Sequence, residues 1–171
     1  MGLYVCRAPA LTRSSSRADP FAYKWAALTR VVAPRAREPC LDRAGAGGSI
    51  EWLWKNFDKS GYKMYFAKHP DVHTKGFMAA NLLGGWFQRC ECLHKYAFSC
   101  MMINGKEGGP LVIEGFWIYR GQEVPEDAVG VPDHDVYEFS EVDLNNPEHV
   151  KKVEGYIAWD CKDCVDGKDF K

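Results

Sequence analysis

The sequence lacks the features that mark membrane proteins and several common enzyme classes. No run approaches the roughly 18 consecutive apolar residues that a membrane-spanning helix needs. There is no GxxxxGK[ST] phosphate loop, no GxGxxG dinucleotide motif and no GxSxG nucleophile motif. Acidic residues are scarce in residues 1–48, which contain eight Arg or Lys against three acids, whereas residues 49–171 contain fourteen against twenty. The charge distribution therefore divides the chain into two unlike parts.

The basic part has a composition unlike that of a packed domain. Residues 1–48 are rich in Arg, Ala and Ser, contain four prolines and end in the flexible sequence AGAGG. Starts that are Arg-rich, Ser-bearing and poor in acids are typical of mitochondrial and plastid transit peptides. No RNA-binding signature accompanies the basic residues. We therefore expect a basic, poorly ordered extension, with organellar targeting as the alternative and without a nucleic-acid partner.

The stretch from residue 81 to 125 organises the rest of the chain. Apolar residues recur there at three- and four-residue spacing, which predicts an amphipathic helix over residues 82–97. The predicted buried face consists of Leu83, Trp86, Phe87, Cys90, Leu93, His94 and Ala97. Two apolar runs, 98–103 and 111–119, flank a glycine-rich turn and predict a β-hairpin. Both faces of the second run are apolar, so we expect a central strand that is covered on both sides.

Weaker patterns flank this stretch. Ser49 is a suitable N-cap for a short helix, and alternation from Tyr62 to Ala67 predicts a strand. We interpret residues 76–81 as a further strand that leads into the central helix.

Downstream of the hairpin, glycine and proline residues predict a loop over residues 121–133. An edge strand is predicted near residues 136–142, and Asn146 followed by Pro147 predicts a helix start. The order of these elements indicates an α+β fold, in which a single domain over residues 49–171 packs a mainly antiparallel β-sheet against helices.

Seven cysteines raise the question of a metal or redox site. An odd number without a secretory signal indicates reduced thiols. Cys90 and Cys92 form a CxC pair and Cys161 and Cys164 a CxxC pair, and thiolates so spaced can share Zn²⁺ if the two pairs meet. Residues 90 and 92 of one helix lie about 200° apart around its axis, so only one of them can face a given metal. We expect no cofactor, and these four residues are weak zinc candidates whose alternative role is as core and surface thiols.

Five motifs occur in a fixed order along the chain. They are FDKSGYKMYF at 57–66, GGWFQR at 84–89, KYAF at 95–98, GFWIYRGQEVP at 115–125 and GKDFK at 167–171. The ordered set resembles the carboxy-terminal domain of the gamma subunit of eukaryotic translation elongation factor 1, whose patterns are WxxFDxxG, NxxxGxxQR, KxAF, GxWxxRGQE and GKxFK. Each motif alone is weakly specific, whereas together they cover about residues 49–171.

The resemblance implies an α+β domain that is a noncatalytic scaffold for protein partners. The gamma subunit supports the exchange complex that recharges elongation factor 1-alpha with GTP in the cytoplasm, and the exchange reaction belongs to other subunits. No catalytic residue, small-molecule substrate or cofactor is therefore expected. A full gamma subunit also carries an amino-terminal glutathione-transferase-like domain and a Lys-rich linker, and we find neither pattern in this sequence.

The motif positions supply the candidate structural or contact residues. They are Asp58, Gly61, Gln88, Arg89, Arg120, Gly121, Gln122, Glu123, Gly167, Lys168, Phe170 and Lys171. On this hypothesis, Gln88→Ala or Arg120→Ala weakens partner capture or stability without abolishing a turnover. The alternatives are an accessory structural subunit of another assembly, for example in a mitochondrion or plastid, and a small zinc or thiol protein.

Overall fold

The computed structural model describes residues 48–106, 108–160 and 163–170. Predictions about residues 1–47, Cys161 and Lys171 lie outside the described residues. The elements follow in the order α1 (Ser49–Asn56), β1 (Tyr62–Lys68), α2 (Gly76–Arg89), a 3-10 turn (Cys90–Leu93), β2 (Ala97–Gly105), β3 (Leu111–Arg120), α3 (Glu126–Val129), a second 3-10 turn (His134–Val136), β4 (Glu138–Glu141), α4 (Pro147–Ala158) and β5 (Cys164–Phe170).

The five strands of the described chain form one antiparallel sheet in the order β4-β1-β3-β2-β5. The predicted hairpin is β2 and β3, and β3 occupies the centre of the sheet. The predicted edge strand is β4, which pairs with β1 alone. The α+β class with a mainly antiparallel sheet is therefore confirmed.

The sheet separates two apolar cores, because alternate side chains of a strand point to opposite faces. On β3, Trp117 and Tyr119 face α2, whereas Phe116 and Ile118 face α1 and α4. All four side chains are at most 1% exposed. The expectation that this strand is covered on both sides is thus confirmed.

Helix α2 differs from the prediction at both ends. Residues 76–81, which we interpreted as a strand, form the first turns of the helix, and its α-helical part ends at Arg89 rather than near residue 97. The chain tightens into the 3-10 turn after Arg89, and Ala97 already belongs to β2. The predicted buried face is confirmed except at His94, whose side chain is 36% exposed, lies 3.1 Å from the Glu91 carboxylate and stacks on Phe170.

Smaller differences occur elsewhere. The N-cap of α1 is Gly48, because Ser49 is already the first helical residue and is buried. A short helix, α3, lies within the predicted loop. The α4 start is as predicted, since the Asn146 side chain accepts a hydrogen bond from the Glu148 amide at 3.0 Å. Strand β5 was not predicted, and it adds a second edge to the sheet.

Candidate interaction surface

Four motif residues join the start of β1 to the end of β3. The Asp58 carboxylate accepts hydrogen bonds from the amide and the hydroxyl of Ser60, at 2.9 and 2.6 Å. Gln122 Nε2 donates to two carbonyl oxygens of the same turn, at residues 59 and 60, over 3.0 and 2.8 Å. Gly121 has φ of 105°, which favours glycine, and its amide donates to the Gly61 carbonyl at 2.8 Å. These residues shape a corner of the fold.

The motif residues of β5 also have structural contacts. A Cβ on Gly167 would lie 2.9 Å from Met102 Sδ and 3.2 Å from the Trp159 ring, so glycine makes room for both side chains. Lys168 Nζ donates to the Ala80 carbonyl of α2 at 2.9 Å. Phe170 is 3% exposed and packs against the rings of Phe87, His94 and Trp117.

The motif on α2 faces outward instead. The pattern NxxxGxxQR corresponds to Asn81, Gly85, Gln88 and Arg89, which share one side of the helix by the 3.6-residue period. Asn81, Gln88 and Arg89 are exposed and Gly85 is half-buried, while the core face carries Ala79, Leu83, Trp86 and Phe87. A polar motif on the solvent side of a helix is free to contact a partner. We call the surface formed by these four motif residues the α2 outer face.

The carboxy-terminal end of the α2 outer face is held in place by the segment between β3 and β4. Arg89 forms an ion pair with Asp133, which adopts a left-handed backbone conformation. The Tyr96 hydroxyl donates to the Asp127 carboxylate at 2.6 Å. Within the core, the rings of Trp86 and Tyr137 stack with their centroids 3.7 Å apart. The segment between β3 and β4 therefore also contacts the buried face of α2.

A shallow groove adjoins the corner formed by Gln122. Its cavity measures about 420 Å³, and its walls include Lys59, Lys63, Glu141 and Asn145. Lys63 Nζ lies 2.9 Å from the Glu141 carboxylate, and this hydrogen bond raises the pKa of the Lys63 ammonium. The groove thus combines both signs of charge. Arg120 and Glu123 are exposed at the same end of the sheet.

A second polar cavity, of about 600 Å³, lies where the hairpin meets α4. Glu114 of β3 accepts a hydrogen bond from Asn104 at 3.0 Å and faces the Lys152 ammonium at 3.5 Å. Burial by itself would raise the pKa of Glu114, but the hydrogen bond from Asn104 and the charge of Lys152 lower it overall. The carboxylate therefore ties the hairpin to α4.

The described cysteines lie on both sides of the sheet. Cys90 and Cys92 belong to the core beneath α2, whereas Cys164 packs with the core beneath α4. The sheet therefore separates the CxC pair from Cys164. Burial raises the pKa of the Cys90 thiol to about 12, which disfavours the reactive thiolate. No group of three or more His, Cys, Asp or Glu residues in the described part of the chain could hold a metal ion.

Two exposed residues at the start of α2 were not predicted as site residues. Phe77 and Met78 are 64% and 54% exposed. Because residues 76–81 were interpreted as a strand, the helical phase was not extended to them. If the 3.6-residue period is extended from Leu83 back to Ala79, Phe77 and Met78 fall outside the buried stripe. The apolar spacing of the sequence therefore contains the signal that would have identified them as exposed.

The geometry defines a class of protein, an α+β domain whose central helix carries its sequence motif toward solvent. Residues 42–123 match the family described as "Elongation factor 1 gamma, conserved domain". The resemblance indicated by the motifs is thereby confirmed, and the chain carries a domain of the elongation factor 1-gamma type. None of the helices in the described ranges is long and apolar enough to cross a membrane.

Curated relatives are similar over most of this chain. It is 32% identical over 130 residues to "Elongation factor 1-gamma 3" of Oryza sativa subsp. japonica. The aligned region covers 72% of this chain and 31% of that protein. It is 32% identical over 131 residues to "Elongation factor 1-gamma" of Schizosaccharomyces pombe, covering 72% and 32%. For "Elongation factor 1-gamma" of Danio rerio the identity is 30% over 126 residues, covering 71% and 28%. The chain thus spans about a third of the length of these relatives.

Proposed function

We propose that this chain is a noncatalytic protein-interaction domain of the elongation factor 1-gamma type, which supports the exchange complex of elongation factor 1-alpha in the cytoplasm. The observation that carries the proposal is the family match over residues 42–123, because it includes the whole α2 outer face. In this account the domain holds protein partners and turns over no substrate. Its proposed contact residues are Asn81, Gly85, Gln88 and Arg89.

The other motif residues have supporting roles in this proposal. Asp58, Gly61, Gly121 and Gln122 fix the corner between β1 and β3 through the hydrogen bonds described above. Gly167, Lys168 and Phe170 fix β5 against α2 and the core. Arg120 and Glu123, which are exposed, are secondary contact candidates.

A second candidate function is that of an accessory structural subunit in another, organellar assembly. The composition of residues 1–48 favours it, because Arg-rich, acid-poor starts are typical of transit peptides. The same contact residues would serve such an assembly, so the two candidates differ in partner and location rather than in mechanism.

The direct test uses purified elongation factor 1-alpha and its exchange subunits as binding partners for the immobilised full chain. We expect the wild-type chain to retain at least one of these proteins. The variant Asn81→Ala/Gln88→Ala should retain about tenfold less, since it removes two exposed amides from the α2 outer face. The control is Lys55→Ala on α1, which packs on the opposite face of the sheet. Equal retention by all three chains, or none by the wild type, would refute the proposal.

A further inference from the structure

The start of α2 carries an exposed apolar knob. Six large apolar side chains are exposed in the described chain, and three of them, Val72, Phe77 and Met78, lie within seven consecutive residues. Their exposed fractions are 57%, 64% and 54%, the high values expected of a surface that no other described residue covers. Aromatic and methionine side chains are enriched at the centres of protein interfaces. We call these three residues the apolar knob.

Two lysines, Lys75 and Lys168, flank helix α2. Helix α2 contains no Asp or Glu, its first turn has no acidic residue, and its N-cap Lys75 makes no side-chain cap. No carboxylate of α2 itself therefore compensates the positive end of its dipole. The Lys168 ammonium lies against the middle of the helix beside Gly84.

Three acids of the described chain, Asp71, Asp133 and Asp166, belong to segments that adjoin α2. Asp133 pairs with Arg89, and the Asp166 carboxylate accepts a hydrogen bond from the Gly167 amide at 2.8 Å. Asp71 is exposed in the loop before α2, four residues before Lys75. Helix α2 itself carries no acid and Lys75 and Lys168 lie at its margins, so a carboxylate-bearing partner complements it.

The shape of this surface suits a second helix. Phe77, Asn81, Gly85 and Gln88 follow one another at spacings of four, four and three, which forms a straight stripe along the helix. A 14-residue helix such as α2 is about 20 Å long. Among the described residues, only the Arg89 side chain lies within reach of a Cβ on Gly85, so none of them covers the middle of the stripe. A small residue at this point lets another helix axis approach closely.

We infer that the apolar knob and the α2 outer face together bind an acidic amphipathic helix of a partner protein. The inference rests on the proposed interaction function and deepens it by naming the chemistry of the partner. Apolar residues of the partner pack on Phe77 and Met78, and its carboxylates face Lys75 and Lys168. The amides of Asn81 and Gln88 suit hydrogen bonding to polar side chains, which favours a protein helix over a lipid surface.

The test measures fluorescence anisotropy of a labelled synthetic peptide titrated with the full chain. The probe has about 18 residues, five helical turns, of Leu, Ala and Glu with Leu at every third and fourth position. A matched probe carries Lys in place of every Glu. We expect the acidic probe to bind at least about tenfold more tightly than the basic one, and its binding to weaken as salt is raised.

Two variants locate the binding. Phe77→Ser/Met78→Ser should weaken binding of the acidic probe by about tenfold, because it removes the apolar anchors. Lys75→Glu should weaken it severalfold by reversing a flanking charge. The control is Val129→Ser, another apolar side chain that is 61% exposed but lies on α3. All three variants change only exposed residues, so thermal melting of each should match that of the wild type.

Several results would overturn the inference. They are equal binding of the two probes, no binding of either, an unchanged affinity in the Phe77/Met78 variant, or binding to phosphatidylserine vesicles in place of the acidic probe. Self-association that the Phe77/Met78 variant abolishes would assign the surface to a second copy of the chain. If elongation-factor subunits bind but the acidic probe does not, only the partner chemistry is wrong. If the probe binds but no such subunit does, the proposed function fails and the docking surface stands.

Discussion

At the scale of single residues, packing and hydrogen bonding decide what each motif residue contributes. Gly167 lies beneath Met102 and Trp159, whereas Gly85 lies on an open helix surface. Tyr96 donates a hydrogen bond to Asp127, whereas the buried Tyr137 hydroxyl has no partner among the described residues. Residues of one type therefore have opposite effects on stability, and substitution can measure them.

The two glycines form a matched pair. Gly167→Ala should lower the free energy of unfolding by about 1 to 3 kcal/mol, because its Cβ would press on Met102 Sδ at 2.9 Å and the Met101 carbonyl at 3.1 Å. Gly85→Ala should raise it by up to about 1 kcal/mol, since alanine has the higher helix propensity. Urea unfolding monitored by tryptophan fluorescence measures both. A neutral Gly167→Ala would contradict the contacts assigned to β5.

The two tyrosines form a second pair. Tyr137→Phe should raise the free energy of unfolding by about 1 kcal/mol, because it removes a buried hydroxyl without a described partner. Tyr96→Phe should lower it by a similar amount, about 1 kcal/mol, because it removes the 2.6 Å hydrogen bond to Asp127. Chemical unfolding of both variants beside the wild type is the measurement. A loss of stability in Tyr137→Phe would show that its hydroxyl is hydrogen-bonded in solution.

At the scale of elements, the prediction succeeded where one periodicity governed a whole segment. The hairpin and the buried face of α2 followed from their apolar spacing. Strand β5 did not, because Asp166, Lys168 and Asp169 make CVDGKDF look like a solvated tail. Its strand state depends on pairing with β2 and on a register shift near Asn104, and neither is encoded locally. The start of α2 at Gly76 was not predicted, because the sequence FMAAN by itself fits either a strand or a helix.

The motifs located the candidate surface only in part. Gln88 and Arg89 were predicted as contacts and lie on the exposed side of α2. Gly167 and Phe170 fit the same motif pattern but are buried, and Lys168 donates to the Ala80 carbonyl at the side of α2, a difference that sequence matching cannot detect. The apolar knob was missed because its recognition needs the helical phase of residues 76–81.

The link between the hairpin and α4 should depend on pH. The pKa of Glu114 is lowered from 4.5 in the folded protein, so the carboxylate stabilises the fold above that value and the contribution is lost as the pH falls through the lower folded pKa. Glu114→Gln should therefore be less stable than the wild type near neutral pH, and the difference should shrink as the pH falls below 4.5 and through the lowered folded pKa. Urea unfolding across this range measures it. The control is Glu126→Gln at an exposed carboxylate, and a difference that did not change with pH would contradict the assignment.

At the scale of the whole molecule, the domain combines a closely packed interior with one distinctive exterior surface. Both faces of the sheet are covered by helices. The motif residues at the β1–β3 corner and on β5 stabilise the fold, whereas α2 exposes its polar motif and the apolar knob to solvent. In the proposed function, this division of roles lets exposed side chains on and beside α2 contact a partner. On that proposal, surface variants on α2 remove binding and leave the fold intact.

The most direct test of this account is quantitative affinity capture of the tagged full chain from its own cells, followed by mass spectrometry. Wild-type protein is compared with Asn81→Ala/Gln88→Ala and with the control Lys55→Ala. The account predicts that wild type and control recover elongation factor 1-alpha and its exchange subunits, and that the α2 variant recovers about tenfold less of them at equal abundance. Recovery of those subunits in equal amounts by all three chains, or of none of them by the wild type, would contradict it.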